Sequence, residues 1–103
     1  GLLRARAMLE QAQMQDAGCV TRIAQAIGMS RSHFIREFSR AYGTTPKQYR
    51  LDVLMRRAAS LMEQTDVPVK RAAFQLGYED PTSFTRAFRR YFGVAPADYR
   101  RLG

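Results

Sequence analysis

The chain has 103 residues, of which 46% are hydrophobic and 11% aromatic, so it is a folded domain and not a disordered tail. Seventeen Lys and Arg residues against nine acidic ones give a net charge of +8, which is typical of proteins with a polyanionic partner, nucleic acid first among them. A single cysteine, Cys19, excludes an internal disulfide, and with one histidine, His33, the chain offers no Cys/His set for zinc.

The first third of the chain predicts three helices. An amphipathic helix covers residues 2–15 and ends near 16–18. A short apolar helix follows, and Gly28 ends it, as expected where the backbone takes a positive φ. Ser30 is a good N-cap for the third helix, which Gly43 stops.

A longer linking helix is predicted over residues 46–63, opened by its first residue, Pro46. Residues 64–67 and the proline that follows them break this helix. Its apolar side carries Tyr49, Val53, Leu54, Ala58, Leu61 and Met62.

The last third of the chain repeats the order of the first. A short apolar helix ends at Gly77, and Asp80 caps the next helix, with Pro81 at its first position. Gly93 stops that helix and Pro96 opens the last one. The prediction is therefore an all-α fold of seven helices with no strand.

The similarity of the two halves is an internal duplication. Residues 34–50 (FIREFSRAYGTTPKQYR) and 84–100 (FTRAFRRYFGVAPADYR) share eight identities in seventeen positions at an offset of 50. Upstream, residues 20–28 match 69–77 at an offset of 49. Each copy of about 30 residues predicts a helix, a turn and a second helix.

The second helix of each copy has two chemically different faces when residues are placed at 100° steps. The apolar faces are predicted to enter the core and hold Phe34, Phe38, Ala41, Tyr42, Phe84, Phe88, Tyr91 and Phe92. The opposite faces are polar and mostly cationic, and hold Ser32, His33, Arg36, Ser39, Arg40, Thr82, Ser83, Arg86, Arg89 and Arg90. A charged helix face is often only solvated, but this one is cationic, occurs twice and has small polar residues at its start. We therefore expect these faces to contact nucleic acid.

Double-stranded DNA is the expected target. An α-helix fits the major groove of B-DNA, whereas the major groove of A-form RNA is too deep and narrow to be read. Proteins that bind single strands present exposed aromatic rings for stacking, and the aromatic residues here lie on the faces predicted to be buried.

Residues 18–102 resemble the DNA-binding domain of the AraC/XylS family of bacterial transcriptional regulators. The resemblance rests on IGMSRSHFIREFSRAYGTTPKQYR (27–50) and LGYEDPTSFTRAFRRYFGVAPADYR (76–100). It implies a duplicated, homeodomain-like fold within a single DNA-binding domain of residues 1–103. The first helix-turn-helix would be 18–45, the linker helix 46–63 and the second helix-turn-helix 64–102. Two recognition helices would then enter successive major grooves, about one turn or roughly 34 Å apart, to activate or repress transcription.

The family's functional positions, carried over residue by residue, divide into two groups. The base-reading positions fall on Ser32, Ile35, Arg36, Thr82, Ser83 and Arg86. Ile35 has two interpretations, contact with a thymine methyl group or packing at the edge of the core. The expected phosphate contacts, which position the protein without specifying sequence, are Arg31, Arg40, Lys47, Arg89 and Arg90. Arg36 and Arg86 occupy the same repeat position, and bidentate contact of Arg with guanine is the commonest specific pairing.

The resemblance also implies partners beyond DNA. RNA polymerase is an expected partner, and an effector-binding or dimerisation domain is expected elsewhere in the native protein. Two rival interpretations keep the fold: a helical protein-interaction module, or a domain that binds DNA without selectivity. Net charge cannot separate them, because non-specific binding uses the same cations.

Enzyme function is the weakest interpretation. The chain has no arrangement of Cys/His or Ser/His/Asp that could activate a nucleophile, and no Gly-rich phosphate loop. We therefore expect no catalysis and no cofactor. No apolar run approaches the roughly 18 residues of a membrane span and no signal-peptide pattern opens the chain, so we expect a cytoplasmic protein without a membrane partner.

Four further residues have predicted roles, and for two of them an alternative remains. His33 is either a pH switch or a ligand to a base or phosphate, or it is a solvated or phosphate-contacting side chain, and the last interpretation is favoured. Cys19 is predicted to be a small structural residue near a helix start, with redox sensing as the alternative. Tyr49 and Tyr99 are predicted to anchor the core with the phenol at its rim.

Overall fold

The computed structural model describes residues 1–11 and 18–102, which contain seven helices and no strand. This confirms the predicted fold class. In chain order the helices are α1 (Leu2–Gln11), α2 (Cys19–Ala26), α3 (Arg31–Tyr42), α4 (Pro46–Gln64), α5 (Val69–Gln75), α6 (Pro81–Phe92) and α7 (Pro96–Leu102). The predicted continuation of α1 through residues 12–15, and its predicted end at 16–17, lie outside the described residues.

Local sequence signals set the ends of the two long helices of the repeat. Ser30 and Asp80 are the N-caps of α3 and α6, as predicted. Gly43 and Gly93 follow the last residues of these helices with φ of 73° and 85°, a conformation that glycine adopts without a Cβ clash. The chain can therefore turn sharply into α4 and α7.

The described residues divide into two compact units, one ending at Val53 and the other beginning at Leu54. In the first unit, α1, α2 and α3 share one core. Its fully buried members are Ala5, Leu9, Cys19, Ile23, Ala24, Phe34 and Phe38. Tyr49, near the start of α4, packs against this core with its ring centroid 5.7 Å from that of Phe38.

The second unit has an aromatic core on α6 and α7. The ring centroids of Phe84 and Phe88 are 5.8 Å apart, and Tyr99 of α7 lies 5.3 Å from both Phe88 and Phe92. Tyr78, in the turn before α6, contacts Phe84 at 5.4 Å. The contacts of Phe84 with Phe88 and of Phe88 with Tyr99 repeat those of Phe34 with Phe38 and of Phe38 with Tyr49 in the first unit.

Two residues predicted on the apolar faces are not buried. Ala41 is exposed, and Tyr91, at the same repeat position, is 39% exposed. Both lie in the last turn of their helix, and the helix that follows packs against only one side of that turn. In the second unit that returning ring, Tyr99, covers Phe88 and Phe92 and leaves position 91 open to solvent.

The linker helix α4 runs one residue beyond its predicted end. Its apolar side was predicted without Met55, which is fully buried. Tyr49 and Leu61, predicted on that side, are half-buried. The buried residues of α4 do not follow one helical face, because the first half of the helix belongs to one unit and the second half to the other.

Candidate nucleic-acid interface

Both candidate recognition helices begin at a side-chain cap. The Ser30 hydroxyl accepts a hydrogen bond from the backbone N–H of His33 at 3.1 Å. Asp80 Oδ1 accepts one from the backbone N–H of Ser83 at 2.7 Å. These caps satisfy donors that the first helical turn leaves without an intrahelical partner. The side chains of this turn are therefore presented from a fixed backbone.

The exposed face of α3 is set by the residues it buries. Phe34 and Phe38 are fully buried, and helical periodicity directs Ser32 and Arg36 to the other side, where both are exposed. Ile35 is half-buried and lies between the two faces. Ser32 and Arg36 thus share one accessible side of the helix, and Ile35 lies at its border.

The same arrangement recurs on α6. Phe84 and Phe88 are fully buried, while Thr82, Ser83 and Arg86 are exposed. An open recess of about 640 Å³ runs along this face. It is lined by Pro81, Thr82, Thr85, Arg86, Arg89 and Arg90.

The five predicted phosphate-contacting residues are all exposed; they are Arg31, Arg40, Lys47, Arg89 and Arg90. Four lie on the two recognition helices, and Lys47 is the second residue of α4. Each long cationic side chain can reach a backbone next to the helix that carries it.

The two recognition helices carry their carboxylate at different positions. Glu37 on α3 lies 3.6 Å from Arg40 and 3.7 Å from Nε2 of His33. At the repeat position of Glu37, α6 has Ala87 and so lacks this carboxylate. Asp80 at the N-cap of α6 has the uncharged Ser30 as its counterpart on α3, so each helix with its cap carries three arginines and one carboxylate. His33 is exposed beside a carboxylate, which agrees with its interpretation as a surface side chain.

Two further positions on the recognition helices were not among the base-reading residues expected from the resemblance. Thr85 is half-buried and lines the recess on α6, and it occupies the repeat position of Ile35. His33 occupies the repeat position of Ser83 and is exposed. The offset of 50 between the copies would have identified both residues.

Other polar residues lie away from the candidate interface and make hydrogen bonds within each unit. Cys19 is buried at the start of α2, and its Sγ accepts a hydrogen bond from Arg50 at 2.8 Å, which agrees with a structural role. The Tyr49 hydroxyl donates to Glu10 at 2.7 Å. At the repeat position of Tyr49, Tyr99 donates to Glu63, and this hydrogen bond, together with burial, raises the pKa of its phenol.

Arg100 closes the end of α4 in the second unit. Its guanidinium donates to the carbonyl oxygens of Met62 at 3.2 Å and Val67 at 2.6 Å. Cations are favourable at helix C-termini, where carbonyl groups lack intrahelical partners. This arginine therefore has a structural role and is unlike the exposed arginines of α6.

Neither a metal centre nor a membrane segment is found in the described part of the chain. Residues 1–11 and 18–102 contain no group of three or more His, Cys, Asp or Glu side chains arranged to hold a metal ion. None of the seven described helices is long and apolar enough to span a bilayer.

Comparison with known proteins places most of the chain in one family. A family model described as a helix-turn-helix domain matches residues 23–102. The Msm operon regulatory protein of Streptococcus mutans is 30% identical over 82 residues, which cover 80% of this chain and 30% of that protein. The lactose operon transcription activator of Staphylococcus xylosus is 30% identical over 78 residues, or 76% and 28% of the two chains. The chain thus spans under a third of the length of such relatives.

Solved structures agree with the sequence matches. The C-terminal domain of AraT, a response regulator from Geobacillus stearothermophilus, superposes with a TM-score of 0.89 at 25% identity and covers 99% of this chain and 84% of that one. The DNA-binding domain of AdpA, a global transcriptional factor solved with a target DNA, has a TM-score of 0.80 at 29% identity and covers 98% and 90%.

Proposed function

The chain belongs to the AraC family of DNA-binding transcriptional regulators, and from that premise we propose that it binds double-stranded DNA sequence-specifically through α3 and α6. Each helix enters a major groove, and the two grooves are successive along the duplex. The family is one of transcription regulators and not a class of enzymes. The observation that carries this function is the repeated pairing of a fully buried phenylalanine stripe with an exposed cationic face on a capped helix.

The roles of the exposed residues follow from their chemistry. Arg36 and Arg86 each present a planar fork of donors that matches O6 and N7 of guanine. The remaining base contacts come from Ser32, Ile35, Thr82 and Ser83. Phosphates are held by Arg31, Arg40, Lys47, Arg89 and Arg90.

The rest of the protein supplies what this domain lacks. We propose that an effector-binding or dimerisation domain lies elsewhere in the native protein, because its curated relatives are about three times the length of the matched segment. We also propose that the protein acts in the cytoplasm and contacts RNA polymerase when it activates or represses a promoter.

Selection from a random duplex pool, followed by competition with random DNA, tests the proposed function. A sequence should be enriched, and its affinity should fall with salt at a slope of roughly −0.9 per phosphate contacted, for about six to ten contacts. Binding that random DNA competes away equally would favour a non-selective domain. Near-zero dependence on salt would favour the protein-interaction module.

A further inference from the structure

The hydroxyl of Ser83 is held by the cap of its own helix. Besides the backbone hydrogen bond that caps α6, the Ser83 Oγ lies 3.1 Å from Asp80 Oδ2. Asp80 therefore contacts Ser83 with both carboxylate oxygens. Ser83 is nevertheless exposed, and it stands on the face that carries Thr82 and Arg86.

The direction of this hydrogen bond is determined by the charge of Asp80. Hydrogen bonds from the Ser83 N–H and hydroxyl, with a smaller contribution from the charge of Arg86, lower the pKa of Asp80 below its ordinary value of 3.8. The group is therefore an ionised carboxylate at neutral pH, and an ionised carboxylate only accepts hydrogen bonds. The Ser83 hydroxyl has to donate, which uses its single proton and leaves its lone pairs facing solvent.

We propose that Ser83 is a specificity-determining residue that acts only as a hydrogen-bond acceptor, and that it reads the exocyclic amino group of adenine or cytosine. In the major groove, adenine N6 and cytosine N4 are the donors, whereas guanine O6 and thymine O4 are acceptors that would face the lone pairs of the serine. This inference rests on the proposed function, in which α6 lies in the major groove.

Asp80 is then a positioning residue that acts on DNA through Ser83. Thr82 provides the contrast, because its hydroxyl makes no hydrogen bond within the described part of the chain and stays free to donate or accept. The first unit has His33 in place of Ser83 and Ser30 in place of a carboxylate cap, so the constraint belongs to the second unit alone.

The variant Asp80→Asn should change whether the Ser83 hydroxyl donates or accepts while the helix remains capped. Asparagine caps helices about as well as aspartate, and its carbonyl can accept from the Ser83 N–H. Its NH₂ group would occupy the place of Oδ2 and donate to the Ser83 Oγ, which frees the hydroxyl proton to point at DNA.

The test compares sequences selected from a random duplex pool by the unmodified protein, Asp80→Asn, Ser83→Ala and the control Thr82→Ala. One position should favour adenine or cytosine by about tenfold in the unmodified protein, which is within the range of a single base contact. Ser83→Ala should remove that preference at this position alone. Asp80→Asn should admit guanine or thymine there and leave other positions unchanged, and Thr82→Ala should not affect this position.

Base analogues identify the DNA strand and the base atom that Ser83 contacts. Purine in place of adenine, or pyrimidinone in place of cytosine, removes the exocyclic amino group. When it is made on one of the two strands, this change should weaken binding of the unmodified protein about tenfold. It should not weaken binding of Ser83→Ala any further.

Two results overturn the inference. If Ser83→Ala alters no position, or if Asp80→Asn keeps every base preference with an unchanged melting temperature, Ser83 does not read an amino group. A site that still depends on Arg36 and Arg86 would then leave the proposed function intact. If the unmodified protein enriches no sequence, the proposed function fails and the inference falls with it.

Discussion

At the scale of the residue, some side chains of the interface already make local contacts in the free protein. Arg40 shares Glu37 with His33 on α3, and Ser83 is held by Asp80 on α6. Such local contacts fix rotamers before DNA arrives, so less conformational entropy is lost on binding. The phenylalanines behind them supply the rigid support on which this precision depends.

The cap at Asp80 predicts a pH dependence of stability. Because the folded state lowers the pKa of this carboxylate below 3.8, its contribution is present above that pH and is lost as the pH falls through the lowered value. Asp80→Ala should therefore melt at a lower temperature than the unmodified protein at pH 7. Circular dichroism melts at pH 7, 5, 3 and 2 should show the difference closing at the acid end. A difference in melting temperature that stays constant from pH 7 to pH 2 would contradict this role of Asp80.

The arginines assigned to phosphates should affect all sequences alike. Arg40→Ala and Arg90→Ala should each weaken binding to selected and random duplexes and lower the salt slope by about one. Arg101→Ala is the control, because Arg101 is exposed on α7 beside Asp98 and is not assigned to DNA. Fluorescence anisotropy titrations over a range of salt measure the slopes. A loss confined to particular base pairs would show that these arginines read sequence.

At the scale of the element, a helix face becomes core only where another element covers it. The rings of α6 are covered by Tyr99 of α7 on the side of Phe88 and Phe92, and Tyr91 remains outside. The same turn at Gly43 brings Tyr49 over Phe38 in the first unit. The aromatic pairs therefore hold each recognition helix from its buried side.

Truncation of the buried rings should be costly. Phe38→Ala and Phe88→Ala should each reduce the free energy of unfolding by about 3–5 kcal/mol, because each removes a fully buried ring from a close-packed site. Tyr91→Ala is the matched control on α6 and should cost much less, since Tyr91 is 39% exposed. Urea unfolding followed by circular dichroism gives the three values. Equal losses at positions 88 and 91 would show that the face assignment of α6 is wrong.

The features that were predictable from sequence are those encoded within one helical turn. Caps at Ser30 and Asp80 and stops at Gly43 and Gly93 depend on neighbouring residues, and the structure confirms them. The exposure of Tyr91 depends on the direction of the following helix, which placing residues at 100° steps around one helix does not predict.

The candidate site divides in the same way. The repeat indicated which positions face outward, and these positions are exposed. The hydrogen bond from the Ser83 hydroxyl to Asp80 depends on the rotamers of both side chains, which the spacing of residues in the sequence does not predict. Thr85 is different, because the repeat already contained the signal for it.

At the scale of the whole molecule, duplication gives two similar helices with different side chains and with carboxylates at different positions. The first carries Glu37 and His33, and the second carries Ala87 and Ser83 at the same repeat positions. A single chain can therefore read two unlike half-sites in a fixed order, where a symmetric dimer would read a palindrome. The net charge of +8 supplies attraction to any duplex, so selectivity has to come from the few residues at the base edges.

The most direct test is a base-by-base substitution scan of a selected duplex with the unmodified protein, Arg36→Ala and Arg86→Ala. Arg36→Ala should relax the preference at one half-site and Arg86→Ala at the other, about one helical turn away. Each should cost roughly 1–3 kcal/mol if its guanidinium reads a guanine. If both variants weaken binding but leave every base preference intact, these arginines hold only phosphates, and their assignment as base-reading residues is wrong.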